Sequence, residues 1–304
     1  MGGEHVYGPE VERDVRSPLY DSVLEDSIRR LNPNAPAQAI SEALLKLRNF
    51  ENAELVKKNA LFMEYLQNGI EVSYSANGET KSDIIYIADF ENAGKPGDKN
   101  SYILANQWTF IENSNKRPDI LIFLNGLPIC LFELKSPSRE QTDASEAYTQ
   151  IRNYMQEIPS MFIYNCICVM SDQLTSKAGT ITRGEDRFME WKTKDGNLES
   201  KAFADFTTFF EGFFQKDRLL DIIKNFICFN NDGINSYKIL AGYHQYFAVR
   251  KAKRGMSSPR SSQQAVLRYP FCGLKRRPQR LLQNNLSRFK FLHTVKQTLY
   301  KQIK

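Results

Sequence analysis

The run RPDILIFLNGLPICLFELKS, residues 117 to 136, constrains the fold more than any other part of this chain. Apolar residues fill both parities on either side of Asn125-Gly126, the pattern of strands covered on both faces and therefore central in a sheet. Asn-Gly between two such runs is the strongest short-range hairpin signal a sequence offers. Asp119 opens the first run, and Glu133 and Lys135 close the second. Charges at the ends of central strands are costly to desolvate unless they are paired or bound to metal. Two carboxylates suit a hard divalent cation, and a neighbouring lysine can position or deprotonate an attacking water. Glu-x-Lys alone is common at strand ends as two solvated charges. The Pro118-Asp119 pair and the hairpin joining the two pieces give this instance its weight.

Strand parity turns that reading into a geometric requirement. Opposed residues of an antiparallel hairpin share a face, and loop length sets which residues oppose. A regular two-residue loop at Asn125-Gly126 sets Asp119 against Phe132 and leaves Asp119 and Glu133 on opposite faces. A three-residue loop ending at Leu127, or a bulge anywhere between residues 119 and 133, sets Asp119 across from Glu133, with Lys135 two positions along. A shared cation therefore requires one of those irregularities.

The segment after the hairpin reads as a helix. Ala144, Ala147, Tyr148, Ile151, Met155 and Ile158 recur at three- and four-residue spacing, Pro159 ends the pattern, and Thr142 or Ser138 supplies an N-cap. Gln150 and Tyr154 lie four apart, one turn from each other on one face. Elsewhere the periodicity predicts helices at 20–31, 36–48 and 53–68. It predicts strands at 84–90, 102–112 and 161–170, with Cys166 and Cys168 on one face of the last. A helix running into a strand is expected at 219–229. Residues 175–211 are polar with aromatic islands and read as a peripheral subregion, and Trp108 reads as a packing residue.

Composition narrows the class. With 41% hydrophobic residues, 304 residues suffice for a sizeable core. No apolar run approaches a membrane span, and the N-terminus lacks the apolar core of a signal peptide. The five cysteines form no C-x-x-C pair, which suits reduced thiols and a cytoplasmic location.

Several longer stretches resemble one known family. VLEDSIRRLNP, RPDILIFLNGLPICLFELKSP, EIPSMFIYNCICVMSDQL, FMEWKTKDG and ILAGYHQYFAVRKA are similar to the N-terminal part of the R subunit of type I restriction enzymes. P-D…E-x-K is also the pattern of the PD-(D/E)xK nucleases. The resemblance spans roughly residues 5 to 252. It implies an α/β fold, a PD-(D/E)xK nuclease-like mixed β-sheet flanked by helices, cleaving double-stranded DNA with Mg²⁺. Asp119 and Glu133 would be the metal ligands, Lys135 the catalytic lysine, and Gln150 and Tyr154 the family's Gln-x-x-x-Tyr pair. It implies methylation and specificity subunits as partners. The family's first core helix, which bears a glutamate able to complete the metal site, is not evident before His5-Val6-Tyr7. An inactive remnant, or a module that binds DNA or a partner without turnover, is the alternative on these grounds.

Charge divides the chain unevenly. Residues 250 to 304 hold 15 Lys/Arg and no Asp or Glu, whereas the preceding 249 carry 26 Lys/Arg against 35 Asp/Glu, a net of −9. Two readings of this basic, irregular tail (253–304, following a nuclease-like region at 1–252) compete. It is either an arm that neutralises phosphates or non-native sequence such as a frameshifted gene end. The family continues here into an ATP-driven motor, and this sequence has no G-x-x-x-x-G-K-[ST] loop to cradle ATP. No ATP site or motor is expected in it.

Overall fold

The computed structural model describes residues 3–51, 54–76, 78–135, 144–172, 175–197, 206–231 and 236–256. A first strand, β1 (Glu4–Tyr7), is followed by the helices α1 (Asp21–Leu31), α2 (Ala37–Arg48) and α3 (Leu55–Asn68). Then come the hairpin of β2 (Ile70–Ala76) and β3 (Glu79–Ile85), β4 (Tyr102–Asn106), and the small pair β5 (Phe110–Ile111) and β6 (Asn115–Lys116). The central hairpin is β7 (Ile120–Leu124) and β8 (Leu127–Leu134), followed by α4 (Ala144–Glu157) and α5 (Pro159–Ile163). β9 (Ile167–Ser171), β10 (Ser176–Gly179), α6 (Phe206–Phe213), α7 (Lys216–Asn225), β11 (Ile227–Asn231), β12 (Ser236–Leu240) and α8 (Tyr243–Met256) complete the described chain.

Six strands form one mixed sheet in the order β1-β4-β7-β8-β9-β10. β1 and β4 are parallel, as are β8 and β9, and the other neighbours are antiparallel. Parallel neighbours need a crossover rather than a tight turn, and the segment containing α4 and α5 links β8 to β9. Every residue of β7 is buried, as the two-parity apolar pattern requires, because helices cover both faces. On one face Ile120, Ile122 and Leu124 join a core with α1, α2, α3, α6 and α7. On the other, Leu121 and Phe123 pack with Ala147, Ile151 and Tyr154 of α4 and with Trp108, which is fully buried.

The β7–β8 turn supplies the required irregularity, by a bulge rather than a longer loop. Leu124 pairs with Leu127 and Phe123 with Pro128, which makes Asn125-Gly126 a two-residue loop. Both residues have positive φ, 54° and 82°, the combination of a type I′ turn. The register then shifts, and Ile122 pairs with Cys130, Leu121 with Leu131 and Ile120 with Phe132. One extra residue, Ile129, has entered β8. Ile129 and its neighbour Cys130 both face the same core, so parity reverses beyond them. The turn is tightly held. The buried Asn125 amide donates to the Ile87 carbonyl and to Asn100 Oδ1, both at 2.9 Å, and its Oδ1 accepts from the Ser101 N–H at 2.7 Å.

Several sequence expectations are corrected. The strand at 84–90 lies earlier, at Glu79–Ile85, because it pairs with β2 in a hairpin, and its polar residues are exposed up to Ile84. The run at 102–112 breaks after Asn106, where Gln107 adopts a left-handed conformation. Residues 161–170 divide into the end of α5 and the start of β9, and Pro159 opens α5 from its first turn rather than only ending α4. Cys166 consequently precedes the strand, and it faces the opposite core from Cys168. The stretch at 175–211 is not peripheral. It contributes β10 to the central sheet and buries Trp191 against Phe213. α8 spans Tyr243–Met256, and the basic tail beyond it lies outside the described residues, as do Ser138 and Thr142. Among the described residues no helix is long and apolar enough to cross a membrane.

Candidate active site

The bulge brings the two carboxylates together. The 120↔132 register continues to Asp119 opposite Glu133, and both belong to the parity that faces α4. Asp119 stands just before β7. Its Oδ2 accepts the backbone N–H of Leu134 at 2.9 Å, and its Oδ1 accepts Gln107 Nε2 at 3.3 Å. That carboxylate is thus tied directly to the strand that carries Glu133. Lys135 follows β8 on the same face, and its Nζ lies 2.9 Å from Glu133 Oε1. The Lys135 backbone is pinned by a 2.8 Å bond from its N–H to the Ser171 carbonyl on β9.

Glu133 is 5% exposed, and its Oε2 has no hydrogen-bond partner among the described residues. A buried carboxylate oxygen without a donor is a costly arrangement. Burial and then the nearby Asp119 charge push the Glu133 carboxyl up from its ordinary 4.5 to about 7, against the pull of Lys135 and the Tyr154 phenol. Asp119 is also raised, chiefly by burial, with the Leu134 N–H, Lys135 and Gln107 drawing it back. Two carboxylates sharing a partly desolvated site lift each other in this way, and a cation placed between them would relieve both.

α4 closes the site from above. Tyr154 is buried, and its ionisation is suppressed by burial and by the Glu133 charge beside it, while Gln150 bonds to its phenol. Gln150 also lines an open cleft of about 370 Å³ with Lys135, Ser145, Glu146 and Thr149. All five residues singled out in the sequence therefore converge at one end of β8. No third Asp, Glu, His or Cys among the described residues joins Asp119 and Glu133 in a metal-holding cluster. Gln107 was not anticipated. Its only sequence signal is its place at the end of an apolar run, which says nothing of a contact twelve residues away.

A mixed sheet flanked by helices, with an Asp, a Glu and a Lys gathered at the end of a bulged central hairpin, defines an α/β protein with a paired-carboxylate site. Residues 3–187 match the family described as type I restriction enzyme R protein N terminus, and the chain belongs to that family. It is similar to the type I restriction enzyme HindI endonuclease subunit of Haemophilus influenzae, with 32% identity over 266 residues, 83% of this chain and 25% of that protein. It is also similar to the putative type I restriction enzyme MjaIXP endonuclease subunit of Methanocaldococcus jannaschii, at 29% over 279 residues, 83% of this chain and 26% of that one. A third relative, the EcoprrI endonuclease subunit of Escherichia coli, is 30% identical over 156 residues, 48% of this chain and 46% of that protein. The chain thus spans about a quarter of the length of the first two.

Proposed function

We propose that this region is the DNA-cleaving module of a type I restriction R subunit, hydrolysing phosphodiester bonds of double-stranded DNA with Mg²⁺. The observation that carries the proposal is the β8 bulge, which turns the buried Glu133 to the face of Asp119. The donor set suits a hard cation, since both groups offer carboxylate oxygens and no thiol or imidazole among the described residues joins them. Mg²⁺ is commonly held by one or two carboxylates, completing its shell with water and substrate phosphate oxygens. Two protein carboxylates therefore suffice for the fit.

Asp119 and Glu133 would hold the ion, which when bound supplies Lewis-acid polarisation of the scissile phosphate and a more acidic water. The remaining chemistry belongs to this chain. Lys135, tethered to Glu133 and fixed through its own backbone, is positioned to orient the attacking water or to stabilise negative charge developing on the phosphate. Gln150 lines the cleft from α4 and bonds to the buried Tyr154 phenol, which lies beside Glu133. Partners in recognition and methylation, double-stranded DNA and the companion subunits of a restriction complex, follow from the same reading.

The test combines cleavage with binding. Supercoiled plasmid is incubated with Mg²⁺ and the protein, or with Asp119→Ala or Lys135→Met, and Mn²⁺ binding is measured by calorimetry. Nicking by wild type alone is expected, with metal binding lost in Asp119→Ala and kept in Lys135→Met. Equal nicking by all three proteins would refute the reading. Retention on a DNA column without nicking would instead favour a binding module.

A further inference from the structure

We propose that Gln107 is a positioning residue for Asp119, a side chain whose amide clamps the carboxylate in the orientation that a shared cation needs. The inference rests on the nuclease reading above and deepens it. Among the described residues only Gln107 and Asn125 combine a side chain with positive φ. Asn125 has a local reason, since the type I′ turn demands that conformation and Asn tolerates it well. Gln107 has no such reason. A strand could end there on glycine at less cost, and a left-handed backbone costs a residue such as Gln roughly 1–2 kcal/mol. Such conformations persist where the surroundings over-determine them, and they cluster at functional sites.

The surroundings of Gln107 are built to hold it. Its backbone N–H bonds to the Asp119 carbonyl at 3.0 Å, and its Nε2 bonds to Asp119 Oδ1 at 3.3 Å, so one residue grips another by main chain and side chain together. Gly8 presses its backbone against the turn, where a Cβ would come within 2.7 Å of the Gln107 carbonyl oxygen and 2.8 Å of Trp108 Cα. Arg13 stacks its guanidinium 3.7 Å from the centre of the Trp108 ring and donates to the Thr109 carbonyl. The turn cannot relax without disturbing that packing. Asp119 therefore has Oδ2 fixed by the Leu134 N–H and Oδ1 by Gln107, which sets the plane of the carboxylate beside Glu133. The terminal amide matters because it donates. Glutamate at this position would repel Asp119, and alanine would remove the donor to Oδ1.

The experiment separates positioning from stability by using the strain itself. Gln107→Gly relieves the left-handed backbone and deletes the clamp, whereas Gln107→Ala deletes the clamp and keeps the strain. We expect Gln107→Gly to match or exceed the wild-type Tm while binding Mn²⁺ at least tenfold more weakly in calorimetry, the loss typical when a partner that orients a metal ligand is removed. A purely structural Gln107 gives the opposite pattern, with a lower Tm in Gln107→Ala and undiminished Mn²⁺ affinity in Gln107→Gly, and that result overturns the proposal. The second arm needs no metal. The Gln107 side-chain amide resonance, assigned from its loss in Gln107→Gly, should move in Asp119→Ala. If wild type and Asp119→Ala both fail to bind Mn²⁺, the nuclease reading falls, and the amide resonance decides the clamp. A displaced signal sustains it, and an unmoved one overturns it.

Discussion

Replacing Glu133 by glutamine tests the electrostatic state of the site without disturbing its shape. Burial and then the Asp119 charge push the wild-type carboxyl up from its ordinary 4.5 to about 7. A carboxyl whose pKa is raised by folding binds more protons folded than unfolded between those values, so wild-type stability falls as pH rises from about 4.5 to about 7. The full difference corresponds to about 3 kcal/mol above pH 7. The value of about 7 already includes the 2.9 Å bond from Lys135, and glutamine gives up part of that interaction because it accepts less strongly. A net gain of about 1–2 kcal/mol is therefore expected for Glu133→Gln at pH 8, or roughly 3–6 °C in Tm for a domain of this size. By pH 5 the gain should be gone or reversed, because about 2–3 kcal/mol of the wild-type difference accrues between pH 5 and pH 8. Added Mg²⁺ should raise the Tm of wild type and leave the variant unmoved. Melting curves from pH 5 to 8, with EDTA and with Mg²⁺, provide the assay. A variant less stable than wild type at pH 8, or a difference independent of pH, would refute the reasoning that desolvation and Asp119 govern this carboxyl.

Two further outcomes concern the frame that holds the site. Gly126→Ala places a Cβ within 2.6 Å of the Tyr20 carbonyl and 2.7 Å of the Leu24 nitrogen at φ +82°, so it should lose about 2–3 kcal/mol in urea unfolding. Lys238 is fully buried, and its Nζ bonds to Asn59 Oδ1 at 3.0 Å and to the Asn165 carbonyl at 2.6 Å, tying β12 to α3 and to the loop before β9. Lys238→Ala should cost about 3 kcal/mol through the lost bonds and the cavity. Desolvation lowers this ammonium from 10.5 to about 8, so between those pH values the unfolded chain holds more protons and wild type should gain stability relative to the variant. A constant difference across that range, read from urea midpoints, would exclude the linkage.

Much of this was legible in the residues alone. The apolar runs around Asn125-Gly126 announced a central hairpin because two-faced burial leaves no room for alternation, and β7 is buried along its whole length. The helices at Asp21–Leu31, Ala37–Arg48 and Ala144–Glu157 were evident because each has one apolar face to bury. Membership of the R-subunit family was legible in motifs that include the site's own residues. The hairpin of β2 and β3 was not, because β3 is polar and exposed up to Ile84 and the alternation of Ile70, Val72 and Tyr74 in β2 is short, although Ile70, Val72 and Ile85 reach the core. β10 was hidden because Ser176–Gly179 is short and built of small or polar residues, and it holds its place by pairing with β9, by the buried Ser171–Ser176 hydroxyl contact and by Ala178 in the core.

The sequence by itself determined that Asp119, Glu133 and Lys135 stand at the ends of one strand pair, and it determined the condition for their meeting, an odd residue between them. Only the tertiary structure decided how that condition is met. Asn-Gly fixed a two-residue turn by local backbone preference, but Ile129 entered β8 as a bulge. A bulge has no propensity of its own to read. It forms where packing on both faces, and pairing with strands on either side, are better satisfied by shifting the register than by keeping it. The contact between Gln107 and Asp119 belongs to the same class, because it depends on how β4 ends against β7, a relation between strands that no single segment encodes.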